Sequence, residues 1–168
     1  MKTTLKIFTL TVAIFAFSNI SFGQNTAEAT AAAGARIITP ITIKNNKALE
    51  FGDIVAGANT VTVDPDGVRT GTNEDLFLSV GRTPQAAQFT VSGEKSLAYS
   101  VVIVESATLK QVDGTATMTI DEFTHNSSGT LSADDGTEVF SVGANLTVSD
   151  SQASGVYAGE FKVTVTYE

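Results

Sequence analysis

The sequence lacks the residues from which many secreted domains and enzymes are built. It contains no cysteine and no tryptophan, only three prolines, and a single histidine, His125. Without cysteine the chain can form no disulfide. With one imidazole and no thiol, neither a nucleophile-base pair nor a transition-metal cluster is easily assembled. We therefore predict a protein that is not an enzyme, with no catalytic residues, no metal site and no cofactor.

Positive charge is also scarce. The chain has 10 Lys and Arg residues against 18 Asp and Glu residues, for a net charge of −8, and two of the lysines lie near the N-terminus. A surface of this sign repels phosphate backbones and anionic lipid headgroups. We expect no nucleic-acid partner.

Long apolar runs are absent after the first residues. The run Ile7–Phe17 follows Lys2 and Lys6 and precedes the small-residue stretch SNISFG. Eleven apolar residues are too few to cross a bilayer, which needs about 20. This arrangement predicts a signal peptide over residues 1–23. We expect the mature chain to be exported to the periplasm, the cell surface or the medium, without inserting directly into a membrane.

The chain after the predicted signal peptide is rich in Val, Ile and Thr, and its apolar residues alternate in short runs between Gly, Asp, Asn and Ser. This pattern predicts an all-β antiparallel sandwich over residues 36–168, with a barrel as the alternative. The stretch SLAYSVVIVE, apolar on both faces from Val101 to Val104, predicts a central strand. The predicted strands are Arg36–Lys44, Ala48–Val55, Thr60–Val63, Leu76–Val80, Gln88–Val91, Leu97–Val104, Thr115–Ile120, Glu138–Val142, Leu146–Val148 and Val156–Tyr167.

The segment of residues 24–35 has a different composition, because it contains the alanine-rich stretch TAEATAAAGA. Alanine favours helix, but the odd positions of this stretch are also all alanine. We predict a flexible leader, with a short helix or a strand with a small-residue face as alternatives.

Two acidic turns raise the question of calcium. Asp64 and Asp66 lie in DPDG, and Asp134 and Asp135 lie in ADDG. Paired carboxylates supply the oxygen ligands that calcium prefers, but the same residues are typical of ordinary turns. We predict ordinary turns, with calcium binding as the alternative.

The last stretch, GVYAGEFKVTVTYE, has the clearest alternation in the sequence. It predicts a strand with one face in a core. The residues in phase are Gly155, Tyr157, Phe161, Val163, Val165 and Tyr167.

This stretch resembles the end of pilus subunits assembled by the chaperone-usher route. In those subunits a glycine fourteen residues from the end and a penultimate tyrosine bracket an alternating apolar strand, as Gly155 and Tyr167 do here. Upstream, ALEFGDIVAG resembles the L-x-F-G segment of spore coat protein U and archaic pilin domains. Nearly all of the chain after residue 36 is similar to an uncharacterised bacterial surface-domain family, a domain of unknown function related to them.

The resemblance implies an immunoglobulin-like, pilin-like sandwich that lacks one strand. A periplasmic chaperone and then a like subunit at the usher would supply that strand, and the protein would be a fimbrial or adhesive structural subunit. The candidate N-terminal strand carries Ile37, Ile41 and Ile43 in phase. If that segment instead pairs with the terminal strand of its own chain, the protein is a self-complete secreted module without strand exchange.

Overall fold

The computed structural model describes residues 26–168, and the predicted signal peptide lies outside them. Residues 26–36 contain neither helix nor strand, and Ile37–Glu168 form one compact unit. The strands within the described residues are β1 (Thr42–Lys47), β2 (Asn59–Val63), β3 (Arg69–Gly71), β4 (Ala87–Ser92), β5 (Tyr99–Ile103), β6 (Ser106–Gln111), β7 (Thr117–His125), β8 (Thr137–Val148), β9 (Tyr157–Ala158) and β10 (Val163–Tyr167).

These strands form an all-β antiparallel sandwich, which confirms the predicted fold class. The larger sheet has the order β1-β4-β8-β7-β6-β9, and β2 joins it by pairing with β8 on one side and β3 on the other. The smaller sheet consists of β5 and β10. A short 3-10 helix, Glu74–Leu76, is the sole helical element in the described part of the chain.

The core follows from period-2 alternation. In β2 and β4, every second residue is buried, and these residues are valine, alanine or phenylalanine apart from Asn59. Buried side chains form two clusters. The first cluster consists of Phe51, Val61, Val63, Ala86, Ile120, Ala144, Leu146 and Val148. The second cluster consists of Ala87, Phe89, Val91, Tyr99, Leu131, Phe140 and Val142, and the apolar residues of β10 pack against it.

Two predicted strands are wrong. Ala48–Val55 contains only isolated bridges, from Glu50 to Gln85 and from Ile54 to Phe77, although its apolar side chains do reach the core. Gly52 has a φ of 78°, which interrupts the extended conformation. Leu76–Val80 forms no strand either, because its first residue ends the 3-10 helix.

The sequence predicts two strands, Glu138–Val142 and Leu146–Val148, where the structure has the single long strand β8. In the structure it runs without a break, and a Cβ on Gly143 would lie 2.2 Å from the carbonyl oxygen of Val63. The glycine therefore admits a neighbouring backbone and does not end the strand.

The predicted terminal strand, in contrast, is divided. Tyr157 and Ala158 pair with β6 in the larger sheet, and Val163–Tyr167 pairs with β5 in the smaller one. Between them, a Cβ on Gly159 would lie 2.4 Å from the carbonyl oxygen of Thr108, so this glycine allows a close crossing. The partly buried positions stay in phase across the division, at Tyr157, Phe161 and the odd-numbered residues of β10.

The remaining differences concern the edges. β1 begins only at Thr42, and Ile37 is 96% exposed and outside any strand. β5 is not central: it pairs with β10, and Val102 on its outer face is 62% exposed. β3 and β6 were missed, since β6 carries only Ala107 and Leu109 as inward apolar residues.

Candidate functional site: the seam between β1 and β10

The terminal strand β10 is hydrogen-bonded on one side only. Its ladder joins it to β5 from Val163 opposite Ile103 to Tyr167 opposite Tyr99. Within residues 26–168, no strand pairs with its other edge. β10 is therefore an edge strand, and an edge strand presents unpaired backbone groups.

The phase of the ladder shows which backbone groups face outward. The amide of Val104 donates to the Lys162 oxygen at 3.2 Å, and the amide of Glu168 donates to the Ala98 oxygen at 3.3 Å. In an antiparallel pair, hydrogen-bonded positions alternate, so the even-numbered residues of β10 bond to β5. The N–H and C=O groups of Val163, Val165 and Tyr167 consequently point to the free edge.

The strand nearest to the free edge of β10 is β1. β1 lies at the edge of the larger sheet, pairs with β4, and passes close to β10 without a ladder between them. Ile41 and Ile43 on this side pack against the second cluster, as do Val163 and Val165 on the other. We call the gap between the facing edges of β1 and β10 the seam.

The seam continues into a cleft of about 790 Å³. Its lining residues include Asn45, within β1, and Phe161, just before β10. Residues 48–54 and 152–161 are the two longest continuous segments that line it. Apolar residues of the larger sheet also line it: Ala87, Phe89, Leu109, Met118, Ile120, Leu146 and Val148.

Charged groups border this apolar cleft. Glu50, Asp53, Arg82 and Glu160 are among its lining residues. Arg82 lies 4.0 Å from the Glu50 carboxylate, and its backbone amide donates to Asp53 Oδ2 at 3.2 Å. An apolar interior with a polar rim is typical of a surface that receives an apolar partner.

The residues predicted for the terminal motif are divided between the seam and the cleft. Phe161, Val163, Val165 and Tyr167 are partly buried and pack against the second cluster. Tyr157 lies in β9, where its hydroxyl donates to the Ala153 oxygen at 2.7 Å. Gly155 is exposed and lines the cleft.

The predicted N-terminal strand contributes only in part. Ile43 lies within β1 and Ile41 immediately before it, whereas Ile37 lies away from the second cluster. The segment Ile37–Ile43 does not pair with β10. Sequence reasoning missed the contribution of residues 48–54 to the cleft, because they were predicted to be an ordinary strand.

The acidic turns have a structural role in the described molecule. Asp64 Oδ1 accepts hydrogen bonds from the amides of Asp66 at 3.0 Å and Val68 at 2.9 Å. Hydrogen bonds from the hydroxyl and the amide of Thr137 hold the pKa of Asp135 below its usual value. Among residues 26–168, no group of three or more acidic or histidine side chains is arranged to hold a metal ion.

The single histidine, His125, is the last residue of β7. Its ring lies edge-on to Phe140, with centroids 6.1 Å apart, and its Nδ1 accepts from the amide of Ser127 at 3.3 Å. These contacts give His125 a packing role at the end of the strand.

A polar network surrounds the hydroxyl of Tyr99, a residue that is 1% exposed. Its hydroxyl donates to Glu138 Oε2 at 2.6 Å and lies 2.8 Å from Ser127 Oγ. Burial, followed by the hydrogen bond to Glu138, raises the pKa of Tyr99 to about 12. The network fixes the loop after β7 to β5 and β8.

Comparison with known proteins identifies the family of this domain. A family model described as a domain of unknown function, DUF4402, matches residues 41–167. The chain belongs to this family. The match begins just before β1 and extends through the end of β10, so the DUF4402 domain includes both walls of the seam. It provides no link to spore coat protein U or to pilins.

No curated protein and no solved structure is significantly similar to the chain. Within the described residues, no helix is both long and apolar enough to span a membrane.

Proposed function

We propose that this protein is an exported, non-enzymatic structural or adhesive subunit whose seam accepts a β-strand from another chain. The free edge of β10 is the observation that carries the proposal. Three residues of β10 direct backbone groups to that edge, and their side chains are only partly buried. An added strand would satisfy the backbone groups and cover the side chains at the same time.

The cleft supports the same function. Buried residues of the first cluster, such as Ile120, Leu146 and Val148, contribute to its apolar lining. Alternate side chains of an extended segment beside β10 would fit this apolar space. The partners we propose are like subunits of the same assembly and a periplasmic chaperone and usher, which would cover the seam before assembly.

Export is the other part of the proposal, and it rests on the sequence of residues 1–23. The charged start, the short apolar run and the small residues that follow are typical of a signal peptide. A pilin-like subunit needs such a segment because its assembly takes place outside the cytoplasm.

A self-complete surface module is the second candidate, and the two buried clusters favour it. Residues such as Val61, Val91 and Val142 are 0% exposed without any added strand. The domain therefore has a core of its own. In this alternative the seam is a surface groove and the protein works as a monomer.

Blocking the seam distinguishes the two candidates. Val163→Lys places an inward-pointing charge on the free edge, a device that prevents strand addition. Thr164→Lys places the same charge on the outer face of the same strand, where the side chain is exposed, and is the matched control. Ala153→Trp narrows the cleft from an exposed position outside the core.

We expect the native host to produce a heat-labile ladder on gels from the wild type and Thr164→Lys, and none from Val163→Lys or Ala153→Trp. Thermal unfolding of each purified protein identifies variants that fail to fold. A wild type that forms no ladder, or folded Val163→Lys and Ala153→Trp variants that assemble as well as the control, would favour the self-complete module.

A further inference from the structure

The phenol oxygen of Tyr167 joins three segments that are distant in sequence. It accepts a hydrogen bond from the backbone amide of Glu94 at 2.6 Å and donates one to the backbone oxygen of Thr39 at 2.8 Å. Glu94 follows β4, Thr39 precedes β1, and Tyr167 ends β10. The Glu94 side chain adds a bond of its own, since Oε2 accepts from the amide of Thr39 at 3.1 Å.

The sequence makes room for this phenol. A Cβ on Gly93 would lie 2.1 Å from Tyr167 Oη and 3.0 Å from Leu131 Cδ1. No side chain larger than hydrogen fits there without moving one of these neighbours. Gly93 thus permits the position of the Tyr167 hydroxyl.

The strand that this hydroxyl helps to hold is otherwise weakly attached. Within β1 only Ile43 is partly buried, and every other residue is exposed. The ladder to β4 occupies one edge only, and its register shifts between Asn45 and Lys47. A strand with few buried contacts is expected to open locally more often than the core strands do.

We infer that the Tyr167 hydroxyl is a latch that holds the start of β1 against the end of β10. The latch closes the Thr39 end of the seam and sets how often the two walls separate. Its consequence for strand uptake rests on the function proposed above, but the latch itself is a property of the single chain. Losing it should open the seam more often and accelerate uptake of a strand.

Amide hydrogen exchange on the exported protein tests the latch directly. In Tyr167→Phe we expect the amides of Thr42–Lys47 that bond to β4 to exchange about tenfold faster, the change expected for losing a hydrogen bond of ordinary strength. Amides of β8 should keep their wild-type rates. Gly93→Ala retains the phenol but displaces its oxygen, so it should accelerate the same β1 amides.

Tyr157→Phe is the matched control. It removes the hydroxyl of a β9 residue that also donates to a backbone oxygen, that of Ala153. Because this hydrogen bond does not involve β1, amide exchange in β1 should stay at the wild-type rate. If the β1 amides of Tyr167→Phe exchange at the wild-type rate, the inference of a latch is wrong. It is also wrong if exchange rates rise uniformly, in β8 as well as in β1.

The assembly assay separates this inference from the proposed function. If the wild type forms a ladder, Tyr167→Phe should form it faster. An unchanged rate of ladder formation would refute the inference that the latch limits strand uptake. If β1 opens in Tyr167→Phe while neither protein forms a ladder, the latch is supported and the proposed function fails.

Discussion

Phe161 offers a quantitative test of whether the cleft is open. Its ring contacts Phe123 at 4.8 Å between centroids and meets Phe89 nearly at right angles at 6.2 Å. It packs against both core clusters, yet it also lines the cleft. The ring is therefore covered by protein on one side and accessible from the cleft on the other.

The cost of Phe161→Ala should reflect this partial cover. Truncating a fully buried phenylalanine to alanine typically costs about 3–5 kcal/mol of unfolding free energy, partly from lost aromatic contacts. Phe140 is 1% exposed and stacks on Phe89 with centroids 5.6 Å apart, so we expect about 4 kcal/mol for Phe140→Ala. For Phe161→Ala we expect about 2 kcal/mol, because less ring surface leaves water on folding.

Urea unfolding of the purified wild type and both variants measures the two values under identical conditions. The comparison is robust because each variant removes the same atoms from a ring in contact with Phe89. A cost for Phe161→Ala equal to that for Phe140→Ala would mean that the ring is already enclosed, and the argument for an open cleft would fail.

Two further predictions concern the polar networks. Because the pKa of Tyr99 is raised from 10.0 to about 12 on folding, its neutral phenol stabilises the fold below about pH 10, and this contribution is lost as pH rises through 12. The melting temperature of the wild type should therefore fall more steeply above pH 10 than that of Tyr99→Phe, and parallel curves would contradict the assignment. Asp64→Ala removes the acceptor of two turn amides and should cost about 1 kcal/mol in urea unfolding. Asp66→Ala should cost less than about 0.5 kcal/mol, and equal effects would show that the turn does not depend on Asp64.

The fold class was predictable because it depends on local alternation. The pattern in β2, β4 and β10 places apolar side chains on one face, and the structure buries that face wholly or in part. The turn chemistry of DPDG was also readable, since Asp64 bonds to amides only two and four residues away. Such features need no knowledge of which strands meet.

Strand boundaries at glycine were not predictable, because the reason for each glycine lies elsewhere in the chain. Gly143 sits inside a strand and Gly159 at a crossing, yet both have close backbone neighbours from distant segments, Val63 and Thr108. Local sequence does not distinguish a glycine that admits another backbone from one that ends a strand.

The candidate site was predictable only along its terminal wall. Alternation placed Val163, Val165 and Tyr167 on an inward face, and these residues do pack against the second cluster. The partners of the Tyr167 hydroxyl, Thr39 and Glu94, lie 128 and 73 residues away, and both contribute backbone atoms. Backbone atoms leave no signature in a sequence, so this contact could not be read from it.

The two walls of the seam differ in how well they are protected against strand addition. β1 carries Lys44 and Lys47 on exposed positions and has an irregular register, and both features discourage edge-to-edge pairing. β10 has the sequence VTVTY and pairs with β5 in an unbroken register, without a charge, a proline or a bulge. An edge that is regular, β-branched and uncharged is a ready template for another strand. A domain that exchanges no strands would gain from protecting such an edge. The unprotected edge of β10 beside the protected β1 therefore supports the proposal that a complementing strand would bond to β10.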